Sequence, residues 1–390
     1  MADRPFDIVL FGATGFTGAL TAEYLAANAP EGLRWALAGR NRAKLEAVRA
    51  RLVGRWSDLE LLSADISDVA SVRAVAESAR VVITTVGPYI KYGEPVVAAC
   101  AEAGTDYVDL TGEPEFVDQM WLRYHQTAAS SGARIVHSCG FDSIPYDLLA
   151  LWTVERLPVD VPLALTGFVR AGGTFSGGTY HSAVENLGRL RSGMRVGRER
   201  RRAEGKPTGR QVHGVPGVPH RDPVAGGWVV PFPTIDPLTV LRSAAALERY
   251  GPDFSYSHYL VAKQLPVALG LIGGAGALVA LAQVPVTRRL LLRVRNPGEG
   301  PSPEQRAKAW FKVRMLGEGG GQRLVTEVTG GDPGYGETSK MLSEAALCLA
   351  YDSLPATSGQ VTPAVAMGSA LIERLERAGI GFRVVSEGPS

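Results

Sequence analysis

Residues 6–11, Phe-Asp-Ile-Val-Leu-Phe, form a short β-rich apolar run that passes directly into Gly12-Ala13-Thr14-Gly15-Phe16-Thr17-Gly18 and then into ALTAEYLAAN, whose apolar spacing is helical. Strand, glycine turn and helix in immediate succession leave few folds open. The first glycine permits a tight turn, the second lets backbone approach a pyrophosphate, and the third lets helix pack on strand. The helix N-terminus then offers unpaired N–H groups and the positive end of its dipole to phosphate oxygens. The spacing, Gly-x-x-Gly-x-x-Gly, is a variant of the usual dinucleotide fingerprint, and its position between strand and helix gives it weight. The alternative is a glycine-rich turn that holds no ligand.

The predicted second strand, residues 34–38, ends at Gly39-Arg40-Asn41-Arg42. An NAD-specific site usually places an acidic residue here, against the ribose 2′-hydroxyl. Arg40 stands there instead. Its guanidinium fork matches a 2′-phosphate, and one such charge-assisted contact is worth about 1.5 to 3 kcal/mol, roughly a ten- to hundredfold preference for NADP(H). Asn41, Arg42 and Lys44 share the turn and are placed to add to it; the alternative is that Arg40 ends a strand and points to water. Further strands are predicted at 59–62, 81–86, 106–110 and 134–137, with helices at 69–78, 93–103 and 114–131 between them. Such alternation predicts an α/β fold with a doubly wound parallel sheet, a Rossmann domain. Asp65 falls at the adenine edge, and Gly87-Pro88 follow the fourth strand.

With 390 residues the chain exceeds what one core usually serves. We expect an NADP-binding domain at 1–150, completed by a C-terminal helix at 363–390, and an α+β substrate domain at 151–362. The second domain opens with a strand at 163–170, a glycine-rich turn at 171–179 and a helix from Tyr180. Residues 195–237, rich in Arg, Gly and Pro, read as a long loop. Residues 312–317 and 323–330 read as a hairpin, followed by helices at 335–351 and 363–378. The uncharged run 264–287 is long enough to span a bilayer, and Arg288, Arg289, Arg293 and Arg295 follow it. A single span would separate the cofactor from the C-terminal part of the chain, so a helix pair that is buried in the core or inserted at a membrane surface is the expectation. Forty-one Lys and Arg against 39 Asp and Glu give no reason to expect nucleic acid as a partner. Cys100, Cys139 and Cys348 are far apart with no Cys-x-x-Cys spacing, so neither a disulfide framework nor a metal site is expected, and a reducing cytoplasm fits. The acidic start, Met-Ala-Asp-Arg-Pro-Phe-Asp, does not read as a signal peptide.

Taken together, GATGFTG at 12–18, AGRN at 38–41, GPYIKYGEPVVAAC at 87–100, YVDLTGE at 107–113 and GFDSIPYD at 140–147 form a series. The chain resembles the saccharopine dehydrogenase-like family, in its enoyl reductase branch. SGGTYHSAVENL at 176–187 and TPAVAMGSALIERLERAGIGF at 362–382 continue the likeness over nearly the whole length. The resemblance implies an NADP-dependent reductase of lipid or polyketide acyl intermediates, acting in trans beside a polyketide synthase. An acidic acyl carrier protein is the partner such an enzyme would dock, and the seven cations among residues 195–210, against two acids, are the basic stretch to receive it. A solvated charged surface is the plainer alternative.

Reducing a conjugated C=C needs NADPH, donors for an enolate oxygen and a source of a proton. The loop after the fourth strand lies at the carboxyl edge of the sheet, where open α/β folds bind ligands. It carries Tyr89, Lys91 and Tyr92, the first candidates; Asp142 with Ser143, and Tyr180 with His181, form the second set. Packing or loop hydrogen bonding is the alternative for each. Tyr259-Leu-Val-Ala-Lys263 matches the Tyr-x-x-x-Lys of short-chain dehydrogenases, but it comes too late in the chain, beyond the 195–237 stretch. Ketone or imine reduction, and NADP(H) sensing without catalysis, stay open as alternatives.

Overall fold

Successive residues of β1 (Phe6–Phe11) point to opposite faces, and both faces are apolar: Ile8 and Leu10 enter one core, Val9 and Phe11 another. A strand buried on both sides belongs in the middle of a parallel sheet, and the computed structural model places it there. The structure describes residues 4–54, 56–173, 177–294 and 300–389. From β1 the chain passes through α1 (Phe16–Asn28), β2 (Trp35–Gly39), α2 (Arg42–Arg49), β3 (Glu60–Ser63), α3 (Val69–Ser78) and β4 (Ala79–Thr84). A short α4 (Tyr89–Tyr92) then precedes α5 (Glu94–Ala103), β5 (Asp106–Asp109), α6 (Pro114–Ser131), β6 (Arg134–Val136) and α7 (Ile144–Val154). These six strands are parallel in the order β3-β2-β1-β4-β5-β6, the doubly wound arrangement expected.

The remaining chain builds a second, mixed sheet. It contains β7 (Leu163–Gly172), α8 (Gly177–Gly188), α9 (Leu190–Glu204), β8 (Gln211–Gly214), β9 (His220–Asp222), β10 (Gly227–Pro231), α10 (Asp236–Ala246) and β11 (Asp253–Ala262). The helices α11 (Leu265–Gln283), α12 (Pro285–Leu291) and α13 (Pro303–Ala307) lead to the hairpin of β12 (Trp310–Gly319) and β13 (Gln322–Gly330). Then come α14 (Gly336–Tyr351), β14 (Gly359–Val361), α15 (Pro363–Ala366), α16 (Gly368–Arg377) and β15 (Gly381–Pro389). The sheet order is β15-β13-β12-β7-β11-β10-β9, with β8 beside β11.

Several expectations change. Residues 195–237 are not a loop: α9 and three short strands occupy most of them. The helix forms because Val196, Gly197 and Arg200, at helical spacing, turn one face onto α6, while the remaining cations stay in water. The stretch 363–390 is not a single helix. Gly368, at φ +48°, separates α15 from α16, and the last strand joins the second sheet. The boundary at 150 also fails, because α7 packs on β12 and β13 whereas α14 packs on β1, β4 and β5, and β14 extends the first sheet beyond β6. One apolar core therefore holds residues from both sheets, among them Leu10, Ile83, Leu148, Met315, Val328, Met341 and Leu371. The uncharged run does form a helix pair, but core packing does not account for it, since Ala268 and Ala282 are the buried residues of α11. Arg295 and residues 174–176 of the glycine-rich turn lie outside the described residues.

Met341 is fully buried on α14 within that shared core. Met341→Ala should cost about 2 to 5 kcal/mol, with chemical denaturation followed by fluorescence and by far-UV circular dichroism giving coincident transitions, because neither sheet keeps its core without α14.

Candidate active site

Between β1 and α1 the backbone leaves a cradle. Gly12 has φ +93°, and a Cβ there would lie 2.6 Å from Val86 Cγ2. A Cβ on Gly18 would lie 2.3 Å from the Gly12 carbonyl oxygen, so α1 meets the turn backbone to backbone. Gly15 differs: a Cβ would meet nothing nearer than the Gly12 oxygen at 3.5 Å. Protein packing does not demand a glycine there, but a ligand pressed against the backbone does. Gly15 is the N-cap of α1 and offers no side-chain acceptor, which leaves the first-turn N–H groups for a phosphate. Thr14 and Gly15 are exposed at the tip, Ala13 is buried, and Phe16 packs edge-on to Tyr335 at 4.7 Å. Thr17 is held from behind, its carbonyl accepting from Ser339. The cradle fits a dinucleotide pyrophosphate.

At the end of β2, Arg40 is exposed and makes no hydrogen bond or ion pair among the described residues. Its charge reaches Asp65, whose carboxyl sits below the ordinary range first through hydrogen bonds from Ser67 and then through Arg40. A free guanidinium beside this edge fits a 2′-phosphate. The neighbours have other tasks. Asn41 caps α2, its Oδ1 accepting from the Lys44 N–H at 3.0 Å, and Arg42 pairs with Glu46 one turn on. Lys44 itself is exposed.

Across the carboxyl edge, the loops after β4, β5 and β6 form a floor and α8 forms a roof. Glu113 joins them: its carboxylate accepts from the N–H groups of Tyr89 at 3.0 Å and Ile90 at 2.9 Å, and from the Ser182 hydroxyl at 3.3 Å. Asn186 donates to the Gly112 carbonyl at 3.1 Å, and Lys91 pairs with Glu185 at 2.9 Å. Burial pushes the Glu113 carboxyl up despite these donors. Beneath lies Asp109, wholly buried, which accepts from Tyr107 at 2.8 Å, from the N–H groups of Thr111 and Ser138, and faces His137 Nδ1 at 2.6 Å. Sequence reading assigned no role to Asp109 or Glu113, although both lie in the YVDLTGE segment.

The first-choice proton donor is corrected. Tyr89 is buried, its hydroxyl donates to the Thr84 carbonyl at 3.1 Å and accepts from the Leu110 N–H at 3.2 Å, and burial drives its pKa well up. It holds β4 to the loop after β5, with Gly87 and Pro88 just ahead of it in the floor. Lys91 is engaged with α8, and Tyr92 points outward, 45% exposed. Ser143 is buried against Thr239 at 3.1 Å. Asp142 keeps its candidacy: half-buried beside Gly112, its carboxyl is pushed up to about 6, chiefly by burial and then by the charge of Asp109. Tyr180 and His181 lie half-buried in the N-terminal half of the roof helix, their rings 6.3 Å apart.

Behind Asp142 lies a group that sequence reading missed. The Tyr256 hydroxyl meets His258 Nδ1 at 2.8 Å, His258 Nε2 lies 3.9 Å from Asp236, and the Tyr146 ring stands edge-on to His258. Gly167 makes room for them, since a Cβ there would lie 2.5 Å from the Tyr256 oxygen. Burial lowers His258 to about 3, keeping it neutral, and raises Asp236 with help from the charge of Asp142. The Tyr-x-x-x-Lys pair fails on geometry: residues 259 and 263 lie at the end of an extended strand, about 13 Å apart, with Tyr259 packed on Phe168 and Lys263 in water.

The basic stretch divides. Arg200 is buried between Asp118 at 3.1 Å and Glu204, in the wall of a cavity of about 380 Å³ beyond β6 and β14. Arg210 donates to the Gly251 and Ala244 carbonyls. Arg195, Arg198, Arg201, Arg202 and Lys206 are exposed.

If Arg40 holds the 2′-phosphate, Arg40→Ser should weaken NADPH binding by about ten- to hundredfold and leave NADH binding unchanged. Fluorescence titration with the two nucleotides reads both.

Residues 8–136 match the saccharopine dehydrogenase NADP-binding domain. A Mycobacterium tuberculosis protein to which trans-acting enoyl reduction is assigned only provisionally is 40% identical over 410 residues, covering 97% of each chain. A Mycobacterium bovis trans-acting enoyl reductase is 36% identical over 416 residues, again with 97% of each covered. The fold matches apo saccharopine dehydrogenase (L-Glu forming) from Saccharomyces cerevisiae, with a TM-score of 0.56 at 12% identity over 99% of this chain and 100% of that one. With the cradle and the exposed Arg40, these findings make the protein an NADP-dependent oxidoreductase, and the chain belongs to the saccharopine dehydrogenase-like family, beside the trans-acting enoyl reductases.

Proposed function

We propose that the protein reduces the C=C bond of an α,β-unsaturated acyl thioester of lipid or polyketide type. The observation that carries this reading is Asp142, a half-buried carboxyl with a pKa pushed up to about 6, beside Gly112 at the carboxyl edge and near the α8 roof. An acid poised near neutral pH is what protonation of an α-carbon requires. Bound NADPH supplies the hydride. The chain's own residues do the rest: Glu113 ties floor to roof, α8 limits access of water, and Tyr180 and His181, half-buried on the roof helix, are the candidate donors to a thioester oxygen. The names of the relatives support the same reaction.

The test is multiple-turnover NADPH oxidation with an enoyl thioester, with the product gaining the mass of two hydrogens. Turnover only with keto or imine substrates, or binding without turnover, would overturn the assignment. Asp142→Asn should lower turnover by about a hundredfold or more. Its effect on stability has a definite sign. The folded pKa is raised, so the carboxylate penalises the fold increasingly as pH climbs from about 4 through about 6, whereas asparagine carries no such penalty. Thermal melts should therefore show Asp142→Asn more stable by about 2 to 3 kcal/mol near pH 8 and no more stable near pH 4.

We assign the donor partner as an acidic acyl carrier protein docking on the exposed cations of α9, with the protein acting in the cytoplasm. Arg200 is excluded from that surface by its burial. Reversing Arg198, Arg201 and Arg202 to Glu should reduce turnover on carrier-bound substrate by about tenfold and spare a free thioester; equal loss on both would dismiss docking.

A further inference from the structure

The helix α11 is apolar all round and lies outside the core. It is 19 residues long, and Ala268 and Ala282 are its buried residues. Leu269 and Val267 are 58% and 50% exposed, and Ile272, Leu281, Val286 and Leu290 continue the same exposed surface into α12. A helix with no polar face is at home in a core or in lipid, and this one is not in the core. From Gln264 to Arg293 the sequence contains no acidic residue, while Arg288, Arg289 and Arg293 follow the apolar run and Lys263 precedes it.

At about 28 Å the helix matches the thickness of a bilayer core, but the sheet topology forbids a crossing. Val169 of β7 pairs with Leu260 of β11, and Gly172 pairs with Trp310 of β12, so the excursion leaves and re-enters the same end of one sheet, two strands apart. A crossing would strand α12 and α13 on the far side, with no second apolar run to bring the chain back. Both ends of α11 are also fastened to the body. Ala268 packs with Trp228, Val230 and Ala262, while Gln283 donates to the Leu187 carbonyl and Arg288 to that of Gly188 at 3.3 Å. The helix can lie in a membrane surface but cannot thread through it.

We propose that α11 and α12 form a monolayer-inserted platform that seats the protein on a bilayer containing anionic phospholipid, with apolar residues at acyl depth and Arg289 and Arg293 among the headgroups. The fastening to Leu187 and Gly188 places this surface against the end of α8, just beyond Ser182, Glu185 and Asn186, which meet the floor of the cofactor cleft. On the acyl thioester reading above, an acyl chain would reach the cleft from the leaflet along α8. Membrane binding itself is read without turnover, so its failure is distinct from failure of the catalytic assignment.

The experiment is co-sedimentation of the full chain with vesicles of phosphatidylcholine alone or with added phosphatidylglycerol. Binding should be strong to the mixed vesicles, weakened by salt, and weak to the neutral ones. Leu269→Asp with Ile272→Asp should lower partitioning by about tenfold or more for each change, and Arg289→Glu with Arg293→Glu should abolish the preference for phosphatidylglycerol. NADPH binding monitors folding in every variant, since all four positions face solvent far in sequence from the cradle. No binding to either vesicle, binding untouched by the aspartates, or a detergent-sensitive dimer formed through α11 in place of vesicle binding would overturn the proposal.

Discussion

A parallel sheet must be dry on both faces, because its strands carry apolar side chains in both directions. The first 150 residues of this chain cover one face fully: α3, α5 and α6 pack over Val9, Ala36, Val82, Tyr107 and Ile135. On the other face α1 and α2 reach the β1–β3 half and leave β4 and β5 open. The helix α14, more than 200 residues later, fills that gap and ties itself to α1 through Tyr24 and Glu344 at 2.8 Å. The organisation of the second half follows from this closure. The chain builds its second sheet, returns with α14 to complete the first, and leaves again for β15.

What a sequence shows is local. The strand–turn–helix at 6–28 was legible because its meaning depends on adjacent residues, and Arg40 because its place is fixed by the end of the next strand. The ownership of α14 and β14 was not legible, since nothing in their periodicity says which of two sheets they cover. The strands β8, β9 and β10 are three to five residues long and separated by Gly and Pro, so they read as loop until β11 is there to pair with. The helix α9 was hidden by its arginines, one of which is the buried residue that fixes it to Asp118.

The same distinction runs through the site. Tyr89 had the right position and the wrong job, because the hydrogen bonds that occupy its hydroxyl come from β4 and the β5 loop rather than from its neighbours. Asp142 had both position and surroundings. Glu113 and Asp109 carry much of the architecture of the cleft, yet a carboxylate that accepts backbone N–H groups looks in sequence like any other. The polar group of Tyr256, His258 and Asp236 required Gly167 on a neighbouring strand, a dependence no linear motif records.

The chain passes between the two sheets three times, from α7 to β7, from β13 to α14 and from α16 to β15. Two bodies joined by one linker swing like a door on a pin; joined by three covalent crossings and a common core, they behave as a welded frame. Opening by rigid rotation of one half against the other is mechanically disfavoured here. The frame is thinnest along α8, where Ser182, Glu185 and Asn186 meet the floor through polar contacts, so a way in for ligands calls for parting a few hydrogen bonds and one ion pair and not for turning one half against the other.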